Sequence, residues 1–245
     1  MRNIKLTIRY DGTNYAGWQS QRNAKTVQQV LESALKKITG ERVKLTGAGR
    51  TDSGVHAKHQ VANFKTRSSL PLERIKIALN SALPNDILII TMEEASKRFD
   101  SQRCAKLKHY RYTVTTSRFV DPFIRHFVAR FSYPLNISSV RRAANQLVGK
   151  HDFGAFKAQD GGERNTTVRT IKKIRVEKKS NLIYIDVWAD GFLYNMARII
   201  AGTLLEIGRG KLPENRIKEM FVKKERRLTG PTAPAKGLCL MKVEY

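Results

Sequence analysis

A glycine-rich stretch in the first part of the chain contains the acid best suited to chemistry. Asp52 lies within Gly47-Ala48-Gly49-Arg50-Thr51-Asp52-Ser53-Gly54-Val55-His56, where the glycines permit sharp turns and close backbone approach. A carboxylate in a basic chain repels any bound phosphate, so catalysis would explain its presence. Arg50, two positions earlier, would lie on the same side of an extended backbone and keep the carboxylate ionised. The alternative is an aspartate that only caps its own turn.

The composition predicts a nucleic-acid partner. The 245 residues include 46 lysines and arginines against 21 acids, a formal net charge of +25, and 41% hydrophobic residues are enough for a packed core. Such an excess is typical of proteins that bind nucleic acid or, less convincingly here, an anionic membrane surface, since the chain has no apolar run of spanning length. Cys104 and Cys239 stand far apart, which indicates reduced thiols in a cytoplasmic protein without a secretion signal.

The sequence contains no metal or cofactor motif. His56 and His59 are close enough in sequence to suggest zinc, but no cluster of cysteines or acids supplies the other ligands. The glycine-rich stretch also lacks the lysine and serine of a phosphate-binding loop. We therefore expect an activity that uses no metal and no cofactor.

An arginine within an apolar helix is the second candidate for chemistry. The stretch Gly191-Phe192-Leu193-Tyr194-Asn195-Met196-Ala197-Arg198-Ile199-Ile200-Ala201-Gly202 predicts a buried helix with Arg198 near its middle. A buried guanidinium needs an anionic partner, because an unpaired buried charge is strongly destabilising. We predict that Arg198 pairs with Asp52 across the two halves of the chain. The alternative is a side chain that extends past its neighbours to the surface.

Tyrosines alternate with positive charge in Lys106-Leu107-Lys108-His109-Tyr110-Arg111-Tyr112-Thr113. If this stretch is a strand, Tyr110 and Tyr112 share one face. The two rings either pack on a core, as strand tyrosines usually do, or one of them stacks on an unpaired nucleobase. The pattern alone leaves both interpretations open.

The elements that must position these residues predict an α+β fold of two similar halves. Each half has the order β-α-β-β-α-β, which gives an antiparallel sheet with helices on one face. The boundary is expected near residue 105, so the halves span residues 1–105 and 106–245. Strands are predicted at Asn3–Tyr10, Arg42–Thr46, Gln60–Phe64, Ile87–Thr91, Tyr110–Thr115, Val168–Glu177, Leu182–Trp188 and Leu238–Val243. Helices are predicted at Thr26–Thr39, Leu72–Leu83, Ser138–Val148, Phe192–Ile207 and Pro213–Val222.

Ordered motifs along nearly the whole chain resemble one family. The stretch from Gly49 to His56 is similar to the signature of the tRNA pseudouridine synthase A family. Further motifs follow in the order found in that family: Tyr10-Asp11-Gly12, Gly17-Trp18-Gln19, Tyr110-Arg111-Tyr112, Gly149-Lys150-His151-Asp152-Phe153, Val168-Arg169-Thr170-Ile171, Gly191-Phe192-Leu193-Tyr194-Asn195-Met196-Ala197-Arg198 and Thr232-Ala233-Pro234.

The resemblance implies that Asp52 is the catalytic aspartate and that Tyr110 contacts the target uracil. It implies two ferredoxin-like halves joined in one continuous sheet, a central RNA-binding cleft between them, and a homodimer. The implied reaction is the isomerisation of uridine to pseudouridine at positions 38 to 40 in the anticodon stem-loop of tRNA. We predict that Arg50 and Arg198 support this site, with Arg50 filling the space that a flipped base leaves.

Two stretches depart from the family pattern. Phe99-Asp100-Ser101-Gln102-Arg103 stands where the family usually has Phe-His-Ala-Arg-Phe, and this change would alter substrate contacts beside the cleft. Met196-Ala197-Arg198 stands in place of Met-Val-Arg, which only trims one side chain.

The rest of the tRNA is expected to lie on positive surface. Candidate contacts are Arg141-Arg142, Lys172-Lys173, Lys178-Lys179 and Lys223-Lys224-Glu225-Arg226-Arg227, although any one pair can equally be solvated surface.

Two rival functions fit part of the sequence. A non-catalytic RNA-binding protein would explain the charge and the two halves, but not an acid in a glycine loop together with an arginine in an apolar helix. Another base-modifying enzyme would need a methyl-donor pocket or zinc ligands, and the sequence indicates neither.

Overall fold

The computed structural model describes residues 1–158 and 166–245. The chain divides into two compact units: unit 1 comprises Met1–Lys106 with Leu240–Tyr245, and unit 2 comprises Leu107–Cys239. Among the described residues, every helix is too short or too polar to span a bilayer.

Unit 1 combines an antiparallel sheet with two helices. Its elements are β1 (Arg2–Tyr10), α1 (Val27–Thr39), β2 (Thr46–Gly47), β3 (His56–Thr66), α2 (Leu72–Ala82), β4 (Ile87–Ala95) and β10 (Leu238–Glu244), whose residues from Leu240 onward belong to this unit. The strand order is β4-β1-β3-β10, and the short β2 also pairs with β3 over two residues. β1 runs antiparallel to both β3 and β4.

The core of unit 1 follows directly from the two sequence periods. Ile4, Leu6 and Ile8 alternate along β1 and are fully buried, as expected for a strand with one face in the core. Helix α1 buries Val27, Leu31 and Leu35 at helical spacing. The burial of these residues confirms the predicted strand and helix and places both in the core of the unit.

The ends of α1 confirm the predicted capping signals. Thr26 accepts a hydrogen bond from the Gln29 backbone, the Gln29 side chain bonds back to the Thr26 backbone, and both together form a capping box. Gly40 ends the helix with φ of 72°, the left-handed conformation that glycine adopts at little cost.

The strand predicted over Arg42–Thr46 is wrong for four of its residues, because β2 comprises only Thr46–Gly47. Side chains of α1 occupy the backbone groups that a strand would use. The Leu45 amide donates to Oε1 of Glu32 at 2.8 Å, and the Leu45 carbonyl accepts from Nε2 of Gln28 at 3.2 Å. With its amide bonded to a helix side chain, Leu45 has no backbone donor left for a sheet neighbour.

Unit 2 is also an α+β unit with a mostly antiparallel sheet. Its elements are β5 (Leu107–Thr115), β6 (Ala129–Arg130), α3 (Ile137–Gln146), β7 (Gly149–Asp152), β8 (Val168–Lys179), β9 (Leu182–Ala189), α4 (Met196–Gly208) and α5 (Arg216–Lys223). The strand order is β5-β9-β8-β7, with the short β6 parallel to β5. Helix α3 packs on α4 and on β8.

Three elements of unit 2 differ from the sequence prediction. Helix α4 begins at Met196 instead of Phe192, because Asn195 adopts a left-handed φ of 59° directly before it. Helix α5 begins at Arg216, three residues later than predicted. Strand β7, which pairs with β8, was not predicted. The predicted burial of α4 is confirmed, since almost all of its residues are buried.

Candidate active site

Asp52 lies on a tight turn between β2 and β3. The Val55 amide donates to the Asp52 carbonyl at 3.1 Å, which closes the turn. Gly54 occupies the third position with φ of 75°, a conformation that favours glycine. The side chain of Asp52 is half-buried, whereas Arg50 is exposed. The turn-capping alternative predicts a turn of this kind as well. The turn alone therefore does not distinguish a catalytic aspartate from one that only caps its own turn.

A second chain segment, residues 10–18, is hydrogen-bonded to this turn. The Trp18 amide donates to the Thr51 carbonyl at 3.1 Å, and the Gly54 amide donates to the Tyr15 carbonyl at 3.2 Å. The hydroxyl groups of Tyr10 and Thr51 lie 2.8 Å apart and are buried. Thr51 and Gly54, which flank Asp52 and Ser53, are therefore fixed by groups more than thirty positions away in sequence.

Two glycines allow this close approach. A Cβ atom on Gly12 would lie 2.0 Å from the Val55 carbonyl oxygen, and one on Gly17 would lie 2.4 Å from the Thr51 carbonyl oxygen. Gly17 also has φ of 86°. No larger residue fits at either position without moving the turn, which explains two motifs that the sequence analysis noted only by resemblance.

Sequence reasoning missed Tyr10, Thr51 and Trp18 as supports of the Asp52 turn. All three are buried, and Trp18 packs so closely on Gly47 that a Cβ there would lie 2.5 Å from the indole nitrogen. The glycines of both segments were the available signal. Which segment meets which is decided by tertiary contact, and spacing along the chain does not encode it.

Tyr110 belongs to unit 2, on β5 opposite Val187 of β9. It is 6% exposed, and its ring meets Phe192 edge-on with centroids 4.9 Å apart. Tyr112, two residues on, is 2% exposed and donates its hydroxyl to the Pro234 carbonyl at 3.1 Å. Tyr112 is thus part of the core of unit 2, as the packing interpretation predicts for strand tyrosines.

The other face of β5 carries an ion cluster that sequence reasoning did not identify. Asp186 on β9 is 1% exposed in its side chain and accepts from Nε of Arg111 at 2.9 Å and from Nη2 at 3.1 Å. Nε2 of His109 lies 2.6 Å from the same carboxylate. Burial raises the pKa of Asp186, but the hydrogen bonds from His109 and Arg111 outweigh it and hold the pKa below its usual value.

Arg198 lies near the start of α4 and is half-buried. Its Nε donates to the Ala233 carbonyl at 2.8 Å, and its Nη1 donates to Oδ1 of Asn195 at 2.7 Å. These two bonds fix the guanidinium against the segment around Ala233. Tyr112 and Arg198 therefore both bond the Thr232-Ala233-Pro234 motif, which ties β5 to α4 within unit 2.

Four candidate site residues thus lie on two separate units. Arg50 and Asp52 share one loop of unit 1, while Tyr110 and Arg198 belong to β5 and α4 of unit 2. The pairing of Arg198 with Asp52 stays a prediction.

The described residues contain no group of three or more histidine, cysteine, aspartate or glutamate side chains placed to hold a metal ion. His56 is 2% exposed, and its Nδ1 accepts from the Gly12 amide at 3.0 Å. This histidine helps to hold the segment that supports the Asp52 turn.

Several of the predicted tRNA-contacting cations form ion pairs within unit 2. Lys224 lies 2.7 Å from Oδ2 of Asp152, and Arg142 lies 2.6 Å from Oε1 of Glu214. Lys223 and Arg227 are paired with Glu219 and Glu225. In the part of the chain that the structure describes, Lys172 and Lys178 are exposed and form no ion pair. The runs of lysine and arginine in the sequence therefore overestimate the unpaired positive charge of unit 2.

Comparison with known proteins identifies the family. A sequence profile described as tRNA pseudouridine synthase matches residues 6–102 and 143–245. A protein of Thermoanaerobacter sp. strain X514 named tRNA pseudouridine synthase A is 47% identical over 245 residues, covering all of both chains. A protein of Clostridium perfringens named tRNA pseudouridine synthase A 2 is 49% identical over the same span, again covering all of both chains.

A solved structure, the crystal structure of a Cbf5-Nop10-Gar1 complex, aligns with a TM-score of 0.36 and 12% identity, covering 82% of this chain and 45% of that one. This likeness is too slight to carry an argument. The profile and the relatives cover both units, including the Asp52 turn and its support. The chain therefore belongs to the tRNA pseudouridine synthase family, isomerases that convert uridine to pseudouridine in tRNA.

Proposed function

We propose that Asp52 is the catalytic carboxylate of this isomerase and that its target is uridine at positions 38 to 40 of the tRNA anticodon stem-loop. One observation carries the first part of the proposal. The Asp52 turn is fixed by backbone bonds to Tyr15 and Trp18 and by glycines that admit no side chain. Precise placement of a half-buried acid is what catalysis requires, and a mere turn cap needs no such second support.

The reaction suits a carboxylate that acts without help from a cofactor. The bond between N1 of uracil and C1′ of ribose breaks, the base turns, and C5 joins C1′. The proton on C5 then leaves to solvent and N1 takes up a proton, so the product is an isomer of the substrate. The target base must leave its stack before the carboxylate can reach it. Asp52 then acts as nucleophile at the sugar or the base, or as the base that removes the 2′ proton.

Three other residues are assigned roles in this proposal. Tyr110 contacts the flipped uracil, supported by a β5 position that is firmly paired to β9. Arg50 occupies the space that the base leaves, supported by its exposure on the same loop as Asp52. Arg198 pairs with Asp52, and a double-mutant cycle of Arg198→Met and Asp52→Asn that shows no coupling in turnover would remove this pairing.

The architecture proposed for the whole enzyme is two ferredoxin-like halves in one sheet with the RNA in a cleft between them. The strand order β4-β1-β3, with β2 on β3, supports this for unit 1. We also propose a cytoplasmic homodimer. Phe119 and Phe123 of unit 2 are 79% and 90% exposed, and exposed apolar side chains of this size are typical of interaction surfaces.

Tritium release from tRNA that carries 5-³H-uridine tests the proposed role of Asp52. Wild-type protein is expected to release tritium, whereas Asp52→Asn should lower the rate at least about a thousandfold, because the variant keeps the shape of the side chain but lacks its basic and nucleophilic oxygen. Binding of tRNA should persist in this variant. Glu73→Gln, which removes a negative charge from the exposed surface of α2, is the matched control and should keep full turnover.

The same assay tests the target position. A tRNA without uridine at positions 38 to 40 should release no tritium with the wild-type enzyme. Undiminished release by a folded Asp52→Asn variant would overturn the catalytic assignment, and release from the tRNA without those uridines would overturn the target assignment.

A further inference from the structure

Two cavities of unit 1 adjoin each other beside the loop that carries Arg50 and Asp52. The first has a volume of about 340 Å³, and Arg50 lines it. The second has a volume of about 750 Å³. They share Lys44, Thr46, Asp100 and Arg103 in their walls. We call this surface the basic groove.

Exposed cations dominate the lining of the basic groove. Its positively charged side chains are Arg42, Lys44, Arg50, Lys65, Lys97, Arg98 and Arg103. Within residues 1–158 and 166–245, none of these seven forms an ion pair, although acids pair with many cations elsewhere, such as Arg142 and Lys224. A concave surface that gathers unneutralised charge of one sign attracts a polyanion.

Asp100, the one acid among the described lining residues, forms no ion pair with these cations. Oδ1 of Asp100 accepts hydrogen bonds from the backbone amides of Gln102 at 2.9 Å and Arg103 at 2.8 Å. Asp100 thus holds the local turn that presents Arg103. This is one function of the stretch that departs from the family pattern.

The segment that carries these residues is anchored to the sheet of unit 1. Nδ2 of Asn3 donates to the carbonyls of Ser96 at 2.8 Å and Phe99 at 2.9 Å, and the Ser101 amide donates to Oδ1 of Asn63 at 2.9 Å. Ser101 is fully buried, and its hydroxyl donates to the Thr46 carbonyl. Arg98 and Arg103 therefore project from a backbone that is already ordered, which lowers the entropy cost of binding.

We propose that the basic groove binds a run of phosphates in the sugar-phosphate backbone of the tRNA, beside the nucleotide that reaches Asp52. The identity of the polyanion rests on the function proposed above. Small-molecule sites are mostly apolar with few polar groups, whereas charged side chains spread along this groove. That pattern fits successive phosphates better than a single anion.

The affinity for tRNA as a function of KCl concentration tests this proposal. The variant Lys44→Gln/Arg103→Gln should reduce the slope of log K against log salt by about 1.4 to 1.8, because each lost phosphate contact removes about 0.7 for single-stranded and 0.9 for double-stranded regions. The matched control Lys36→Gln/Arg74→Gln removes the same charge from exposed positions on α1 and α2. It should leave the slope within error of wild type.

A second readout uses the natural cysteine of the groove. Cys104 is a free, exposed thiol that lines the larger cavity. Bound tRNA should slow its alkylation in the wild-type protein, and protection should weaken as salt is raised. Unchanged alkylation at saturating tRNA would overturn the proposal, as would a wild-type slope in the Lys44→Gln/Arg103→Gln variant.

Two further measurements distinguish failure of the groove proposal from failure of the catalytic assignment. Asp52→Asn should keep the wild-type salt slope, so loss of turnover without loss of slope concerns the catalytic assignment alone. Inorganic phosphate is the second probe. If it protects Cys104 as well as tRNA does while the variant keeps the wild-type tRNA slope, the groove is a small-anion site and the proposal is wrong.

Discussion

The placement of Asp52 depends on residues that carry no reactive group. Gly17 lies where a Cβ atom would meet the Thr51 carbonyl oxygen at 2.4 Å and the carbonyl carbon of Asp52 at 3.0 Å. Both neighbours are backbone, which cannot rotate away as a side chain can. The bonds from Trp18 to Thr51 and from Gly54 to Tyr15 depend on the same close approach. Placement of the carboxylate therefore requires the absence of a side chain at position 17.

Gly17→Ala is expected to impair turnover far more than the backbone strain of an alanine at positive φ alone explains. Gly40 has a similar positive φ but no atom within 4 Å of the added Cβ, so Gly40→Ala should cost only about 1 kcal/mol of unfolding free energy and keep full tritium release. Gly17→Ala adds a backbone clash that displaces the Asp52 turn, and we expect about a hundredfold loss of turnover. Denaturant unfolding and tritium release measure the two effects. Equal turnover by both variants would contradict the importance of this contact.

At the scale of elements, the pairing of β5 with β9 determines where Tyr110 lies. Tyr110 faces Val187, and the next pair in register, Arg111 with Asp186, places the ion cluster on the opposite face. Because side chains alternate along a strand, a slip by one residue would exchange the tyrosine and the arginine between faces. The buried carboxylate of Asp186, bonded by Arg111 and His109, therefore fixes the register that positions Tyr110.

Removal of the Asp186 charge is expected to destabilise unit 2. The pKa of Asp186 is lower in the folded protein than its usual value, so its stabilising contribution is present above the unfolded pKa of about 3.9 and is lost as pH falls through the folded pKa. Asp186→Asn should cost about 3 kcal/mol at pH 7 and flatten the acid limb of the stability curve. Denaturant unfolding from pH 7 to pH 3 measures both.

Glu214→Gln is the control for this prediction, because it breaks an exposed pair with Arg142 that water and salt screen. An Asp186→Asn variant as stable as Glu214→Gln at pH 7 would show that the cluster does not hold the register.

At the scale of the whole molecule, the charge of +25 and the exposed phenylalanines have opposite effects on self-association. Two copies of so basic a chain repel each other, whereas burial of Phe119 and Phe123 against a second copy would favour a dimer. Salt screens the repulsion, so added salt should strengthen the dimer while it weakens tRNA binding.

Light scattering tests the proposed homodimer. The wild-type protein should have about twice the mass of the 27.9 kDa chain, with a dissociation constant that falls as KCl is raised. Phe119→Ser/Phe123→Ser should shift the protein toward monomer, because it removes apolar area from the interface. Ile77→Ser, at an apolar position of α2 that is 59% exposed, is the control and should stay dimeric. A monomeric wild type would refute the homodimer, and an unchanged double variant would refute this surface.

Local elements were predictable because their signals lie within a few residues. Thr26, Gln29 and Gly40 determine both ends of α1 by bonds to their own helix, and the alternation in β1 determines its buried face. The strand expected at Arg42–Thr46 was wrong because Gln28 and Glu32, on a different element, bond the Leu45 backbone. The start of α4 was wrong because Asn195 adopts a left-handed conformation that periodicity does not reveal.

By itself, the sequence determined the types of the elements, the basic character of the protein, its family motifs and the turn that carries Asp52. Only the tertiary structure decided which cations are neutralised and what holds that turn. Runs such as Lys223-Lys224 are paired with acids, while the cations of the basic groove come from separate segments and form no ion pair with any described residue. The physical reason is that turns and caps depend on neighbours in sequence, whereas ion pairs and close contacts depend on distance in space.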